Sequence, residues 1–106
     1  MNTRRALRQA VRERGQALRL LPYERLLGMK HEPAEPVAVG GRAGTIATYC
    51  RACDHHRVAV VLRATLDTWL PRVKSVARDG FYKHRDGSIT DMPDDELYDY
   101  DPLFSN

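Results

Sequence analysis

The chain is short of the features that usually reveal a chemistry. Its 106 residues include two cysteines, one tryptophan and 8% aromatics. Two cysteines at Cys-x-x-Cys spacing, Cys50 and Cys53, do not make an extracellular disulfide framework. No apolar run approaches the roughly 18 residues that cross a bilayer, so no membrane association is expected. The start is basic, but Arg12, Glu13 and Arg14 interrupt the apolar stretch that a signal peptide would need. A cytoplasmic location is the expectation.

Complete catalytic and ligand motifs are also missing. There is no Asp-x-Asp-x-Asp-Gly calcium loop, nucleophile elbow or His-Glu-x-x-His. Gly40-Gly41-Arg42-Ala43-Gly44 is glycine-rich, yet it precedes a strand-like run and not a phosphate-binding helix. No helix-turn-helix motif, internal repeat or low-complexity segment occurs. These absences point away from an enzyme.

What the chain does have is an ordinary globular balance, 42% hydrophobic and 29% charged, in a length that suits one domain. Its net charge of +3 conceals an asymmetry. Residues 1–30 carry eight Lys/Arg against two Glu, whereas residues 86–106 carry seven Asp/Glu and no Lys/Arg. A basic front and an acidic end can steer partners or attract each other.

Thr3 is placed to cap a helix from about Arg4, with Leu7, Ala10, Val11, Ala17, Leu18 and Leu21 on one stripe. Gly15 is a weak point in it. Pro22 predicts a break or kink, followed by a short helical piece over 23–27 with Gly28 as its stop. This helical segment covers about 4–28, and 29–36 reads as a connector. A β-rich segment of about 36–92 follows. An edge strand over 36–39 turns at Gly40-Gly41 into a second strand. In that strand Ile46, Thr48 and Cys50 share one face, and Thr45, Ala47 and Tyr49 the other. Residues 57–66 alternate with Val58, Val60, Leu62, Ala64 and Leu66 on one face, which predicts the central strand. Trp69 would pack over a sheet edge or against the first helix. Residues 74–78 form a weak strand, with Asp79-Gly80 as a turn or bulge. Arg85-Asp86-Gly87 closes a hairpin between 81–84 and 88–91. The acidic C-terminal segment, 93–106, opens with Pro93 and a helical turn over 94–98, after which Tyr98, Tyr100 and Phe104 either dock or fray. The expected fold is α+β: a kinked N-terminal helix on one face of an antiparallel sheet of about four to six strands, with a short acidic helical turn at the end.

Three clusters carry some chemistry. Cys50 and Cys53, with His55 and His56 just beyond, form half of a zinc knuckle at a polar hairpin tip. A full tetrahedral set would need another ligand, with His31 and His84 as the remaining histidines. A redox role for the pair lacks the helix N-terminus that lowers a thiol pKa. Arg4, Arg5, Arg8 and Arg12 lie on adjoining helical turns and could meet phosphates. Tyr49, Phe81 and Tyr82 with Arg63 and Lys83 sketch a single-strand platform. The expected function is a non-enzymatic module that binds a protein partner, possibly a second copy of itself. The alternatives are nucleic-acid binding through the basic helix, or a zinc-stabilised module.

Overall fold

Leu7, Val11, Gly15 and Leu18 recur at helical spacing and form the buried stripe of α1 (Thr3–Arg19). The computed structural model describes residues 3–29, 32–39, 41–67 and 74–100. Ala17 turns outward, and Gly15 takes the inward place beside Leu18. Thr3 begins the helix, but the capping role expected of it rests on a side chain outside the described residues. Pro22 breaks the helix as expected. With φ −62° and ψ 155° it caps α2 (Tyr23–Leu27), and its carbonyl accepts from the N–H groups of Arg25 and Leu26. Gly28 ends α2, its N–H returning 3.1 Å to the carbonyl of Glu24.

Five strands follow: β1 (Glu32–Val39), β2 (Arg42–Ala52), β3 (Arg57–Asp67), β4 (Lys74–His84) and β5 (Ile89–Asp91). They form an antiparallel meander in chain order, so β3 is central. A last short helix, α3 (Asp94–Asp99), follows Pro93. The fold is therefore α+β, with the N-terminal helices packed on a five-stranded antiparallel sheet. Among the described residues no helix is long and apolar enough to cross a membrane.

The central strand explains both faces. Val58, Val60, Leu62, Ala64 and Leu66 are each at most 1% exposed and meet Leu7, Val11, Leu18, Tyr23 and Leu26 from the helices. Burying a side chain of this kind stabilises the fold by about 1.5–3 kcal/mol. The opposite face is apolar too. Ala59 and Val61 pack with Tyr82, Met92 and Leu97, and Tyr100 closes over them. Residues 93–100 of the acidic end thus dock through Leu97 and Tyr100, and Asp94, Asp95 and Asp99 are exposed. Trp69, His31, Gly40 and Phe104 lie outside the described residues.

Three local expectations are corrected. The connector over 29–36 is strand from Glu32 onward, because Glu32 and Glu35 pair with Thr48 and Ile46 across a bulge. The tip between β2 and β3 is shorter than one holding both cysteines: β2 runs to Ala52, so Cys50 keeps its expected place on the face of Ile46 and Thr48, opposite Val60, and only Cys53 lies beyond the strand. Asp79-Gly80 is neither turn nor bulge. Both lie in continuous β4, opposite Leu62 and Val61. The glycine serves a tertiary contact: a Cβ at Gly80 would come within 2.5 Å of Leu97 Cδ2.

Candidate functional site

One arginine ties the end of the basic helix to the sheet. Arg19 forks onto Asp79 at 2.8 and 3.2 Å and reaches Asp91 at 2.9 Å. Its guanidinium also lies over the Phe81 ring, 4.6 Å from the centroid. Hydrogen bonding to Asp79 raises its pKa above the ordinary value, against the opposing effect of burial. Lys83 is buried on the same face and donates 2.9 Å to the carbonyl of Arg19 at the end of α1. Gly15 lies against Asp79, and the α1 terminus lies against Lys83, so α1 runs in the same sense as β4. Arg14 pairs with Glu35 on the far side, tying α1 to β1.

This anchoring fixes the outer face of α1 beside the edge of the sheet. Strand β5 pairs only with Phe81, Tyr82 and Lys83. Beyond them, residues 74–79 of β4 have β3 on one side and, among the described residues, no strand on the other. A cavity of about 520 Å³ wraps this edge. One wall is α1, through Arg4, Arg8, Val11 and Arg12. The floor is β4 from Val76 to Asp79, with Arg78 adding a fourth arginine. The other wall is Met92 and α3, through Asp94, Leu97 and Tyr98. Arg78 stacks on the Tyr98 ring at 4.4 Å. The volume lies within the usual range for ligand-binding clefts, about 300–1,000 Å³. Among the residues that line the groove the carboxylates are Asp79 and Asp94, and Asp79 is engaged by Arg19.

Backbone direction matters here. The carbonyl of Gly80 accepts from the N–H of Met92, and the N–H of His84 donates to Ser88, so these residues point away from β3. Strand alternation then turns the N–H and C=O of Val76 outward as well, into the groove.

Of the four arginines singled out in the sequence, the groove gathers Arg4, Arg8 and Arg12. Arg5 is exposed and does not line it. Arg78 was missed. Its only sequence signal was a basic residue on a weak strand, and its role depends on β5 being too short to cover it. The single-strand platform sketched above separates onto two faces. Phe81 and Lys83 are buried beneath α1, whereas Tyr49, Arg63 and Tyr82 belong to the opposite face. There the Tyr49 and Tyr100 rings are 6.4 Å apart, and Arg57 lies 4.5 Å over Tyr82.

The cysteines part company in the same way. Cys50 is partly buried against the core beneath the helices. Cys53 is exposed beyond the end of β2 and meets Tyr100, whose pKa is raised chiefly by burial, with further contributions from Tyr82 and Cys53. No disulfide joins the two. His55 and His56 are exposed. The turn is organised by Asp54, which accepts from the N–H groups of His56 at 2.7 Å and Arg57 at 3.0 Å. The His56 N–H is the main reason that the Asp54 carboxyl sits below its ordinary pKa. His84 is engaged elsewhere, with Nε2 2.8 Å from Thr90 Oγ1. Among the described residues no group of three His, Cys, Asp or Glu side chains is arranged to hold a metal ion. Comparison with protein-family models, curated proteins and solved structures finds no match to this chain.

Proposed function

We propose that this chain is a non-enzymatic module that binds a protein partner in the groove between α1 and α3. The observation that carries the reading is the groove's division into unlike walls: three arginines from successive turns of α1 on one side, and on the other the exposed Tyr98 ring and Asp94, with Met92 and Leu97 largely buried behind them. Charges of one sign steer encounter and fix orientation, and apolar and aromatic side chains supply the desolvated contact area. A polypeptide satisfies both walls at once. A photo-reactive residue in place of Tyr98, at the rim of the groove, tests the reading in native lysate. It should capture a defined protein, and Arg8→Glu with Arg12→Glu should abolish the adduct. An adduct indifferent to that charge reversal, or none at all, counts against it.

The line of Arg4, Arg8 and Arg12 supports a second reading, nucleic-acid binding, because evenly spaced cations suit a phosphate backbone. The carboxylates of α3, Asp94, Asp95, Glu96 and Asp99, weigh against it: a nucleic acid carries a charge on every residue and would meet them as well as the arginines, whereas a peptide can keep its carboxylates on the α1 side. Anisotropy with labelled single- and double-stranded oligonucleotides at low salt decides the matter, and no binding there ends this reading.

A further inference from the structure

We infer that the groove takes an extended acidic segment of the partner as an added strand on the outer edge of β4. This rests on the protein-binding reading and deepens it. Strand edges carry unpaired backbone groups and are natural templates for another chain. The cavity wraps the edge from both faces, since Ala77 and Asp79 line it on the α1 side and Val76 and Arg78 on the α3 side. The N–H and C=O of Val76 turn into it, and only a polypeptide offers complementary donors and acceptors in the same line.

The geometry also specifies the pattern of the guest. Arg4, Arg8 and Arg12 advance along α1 by about 6 Å each, four residues at about 1.5 Å. Alternate residues of a strand advance by about 6.6 Å. Because α1 follows the direction of β4, carboxylates at every second position of the added strand fall opposite successive arginines. The intervening side chains fall on the other face, toward the exposed ring of Tyr98. The fitting segment alternates acidic and apolar residues. A second copy of this chain fits poorly: joining two β4 edges across a two-fold axis sets one α1 beside the other, arginine against arginine.

The test titrates the isotope-labelled full chain with three short peptides. One alternates Glu with Val, one is the same with central prolines, and one replaces Glu by Lys. The acidic peptide should shift the amide of Val76 and slow its hydrogen exchange. The proline-interrupted and basic peptides should bind at least about tenfold more weakly, a difference of about 1.4 kcal/mol. Arg8→Glu with Arg12→Glu, both exposed positions, should weaken the acidic peptide by a similar factor while leaving the remaining spectrum in place. Equal binding of the proline-interrupted peptide overturns strand addition but leaves the groove reading standing. So does a groove that captures a partner from lysate yet shows no shift with the acidic peptide. Protection of Val76 that appears with protein concentration alone, without peptide, makes a second copy the occupant and overturns the acidic assignment.

Discussion

The carboxylate of Asp79 occupies the space that a side chain at Gly15 would need. A Cβ built at Gly15 collides with Asp79 Oδ2 and lies 2.9 Å from Arg19 Nη1. The glycine that looks like a defect in an amphipathic helix is therefore the opening through which the Arg19–Asp79 pair forms. Arg19 and Asp79 side chains are 12% and 22% exposed, so little solvent screens them.

Two opposing effects set the outcome of Gly15→Ala. Alanine favours the helix by about 1 kcal/mol. Displacing Asp79 loses charged hydrogen bonds that contribute about 1.5–3 kcal/mol. The variant should be less stable by about 0.5–2 kcal/mol in denaturant unfolding. In an Asp79→Ala background the collision is gone, and the same change should stabilise by up to about 1 kcal/mol. A sign that does not reverse would mean that the pair does not set the requirement for glycine.

A related argument applies on the other face. The close approach of Leu97 Cδ2 and Met92 Sδ to Gly80 leaves no room for a branched side chain. Gly80→Val should lift α3 from the sheet, costing about 1–3 kcal/mol by overpacking. Hydrogen exchange should accelerate across residues 92–100 and remain slow in β2 and β3. Uniform acceleration throughout the chain would instead mark α3 as integral to global stability.

Much of the fold was legible because β3 carries its instruction locally. Alternation over 57–66 names a face, and the helix stripe of Leu7, Val11 and Leu18 names its partner. Asp79-Gly80 was not legible, because a glycine inside a strand looks like a bulge until Leu97, 17 positions later, is seen to pack on it. The groove was half legible. Arg4, Arg8 and Arg12 are a line in any helix, but the edge they overlook exists only because β5 pairs with three residues of β4. No local pattern announces where a neighbouring strand will stop. The cysteine pair shows the opposite case, a local pattern whose geometry depends on where β2 ends. Cys-x-x-Cys spacing suggests convergence, yet extending β2 through Cys50 puts that thiol beneath the helices and leaves Cys53 outside.

The hairpin tip gives a pH-dependent prediction. Asp54 is stabilised as a carboxylate, chiefly by the His56 N–H, so its folded pKa lies below its unfolded value. Its contribution is fully present above the ordinary carboxylate range, about pH 3.9, and is lost as pH falls through the depressed folded value. Asp54→Ala should therefore lower stability near neutral pH, and the gap from wild type should close on acidification. Faster exchange of the His56 and Arg57 amides at neutral pH would locate the effect. A gap independent of pH would assign it to turn conformation and not to charge.

The separation of the two thiols predicts how they react. Cys53 is exposed, whereas Cys50 packs against the core, so a thiol reagent should modify Cys53 much faster under native conditions and both equally in denaturant. Thiolate character also governs the rate, but exposure is the difference visible here. Zinc bound by both cysteines would protect both, and a chelator would then expose them together and lower thermal stability. The expected result is unequal labelling, with no change in midpoint or labelling rate on adding chelator. Equal protection relieved by chelation would require β2 to end before Cys50, turning its thiol toward Cys53, and would restore the knuckle as a structural element.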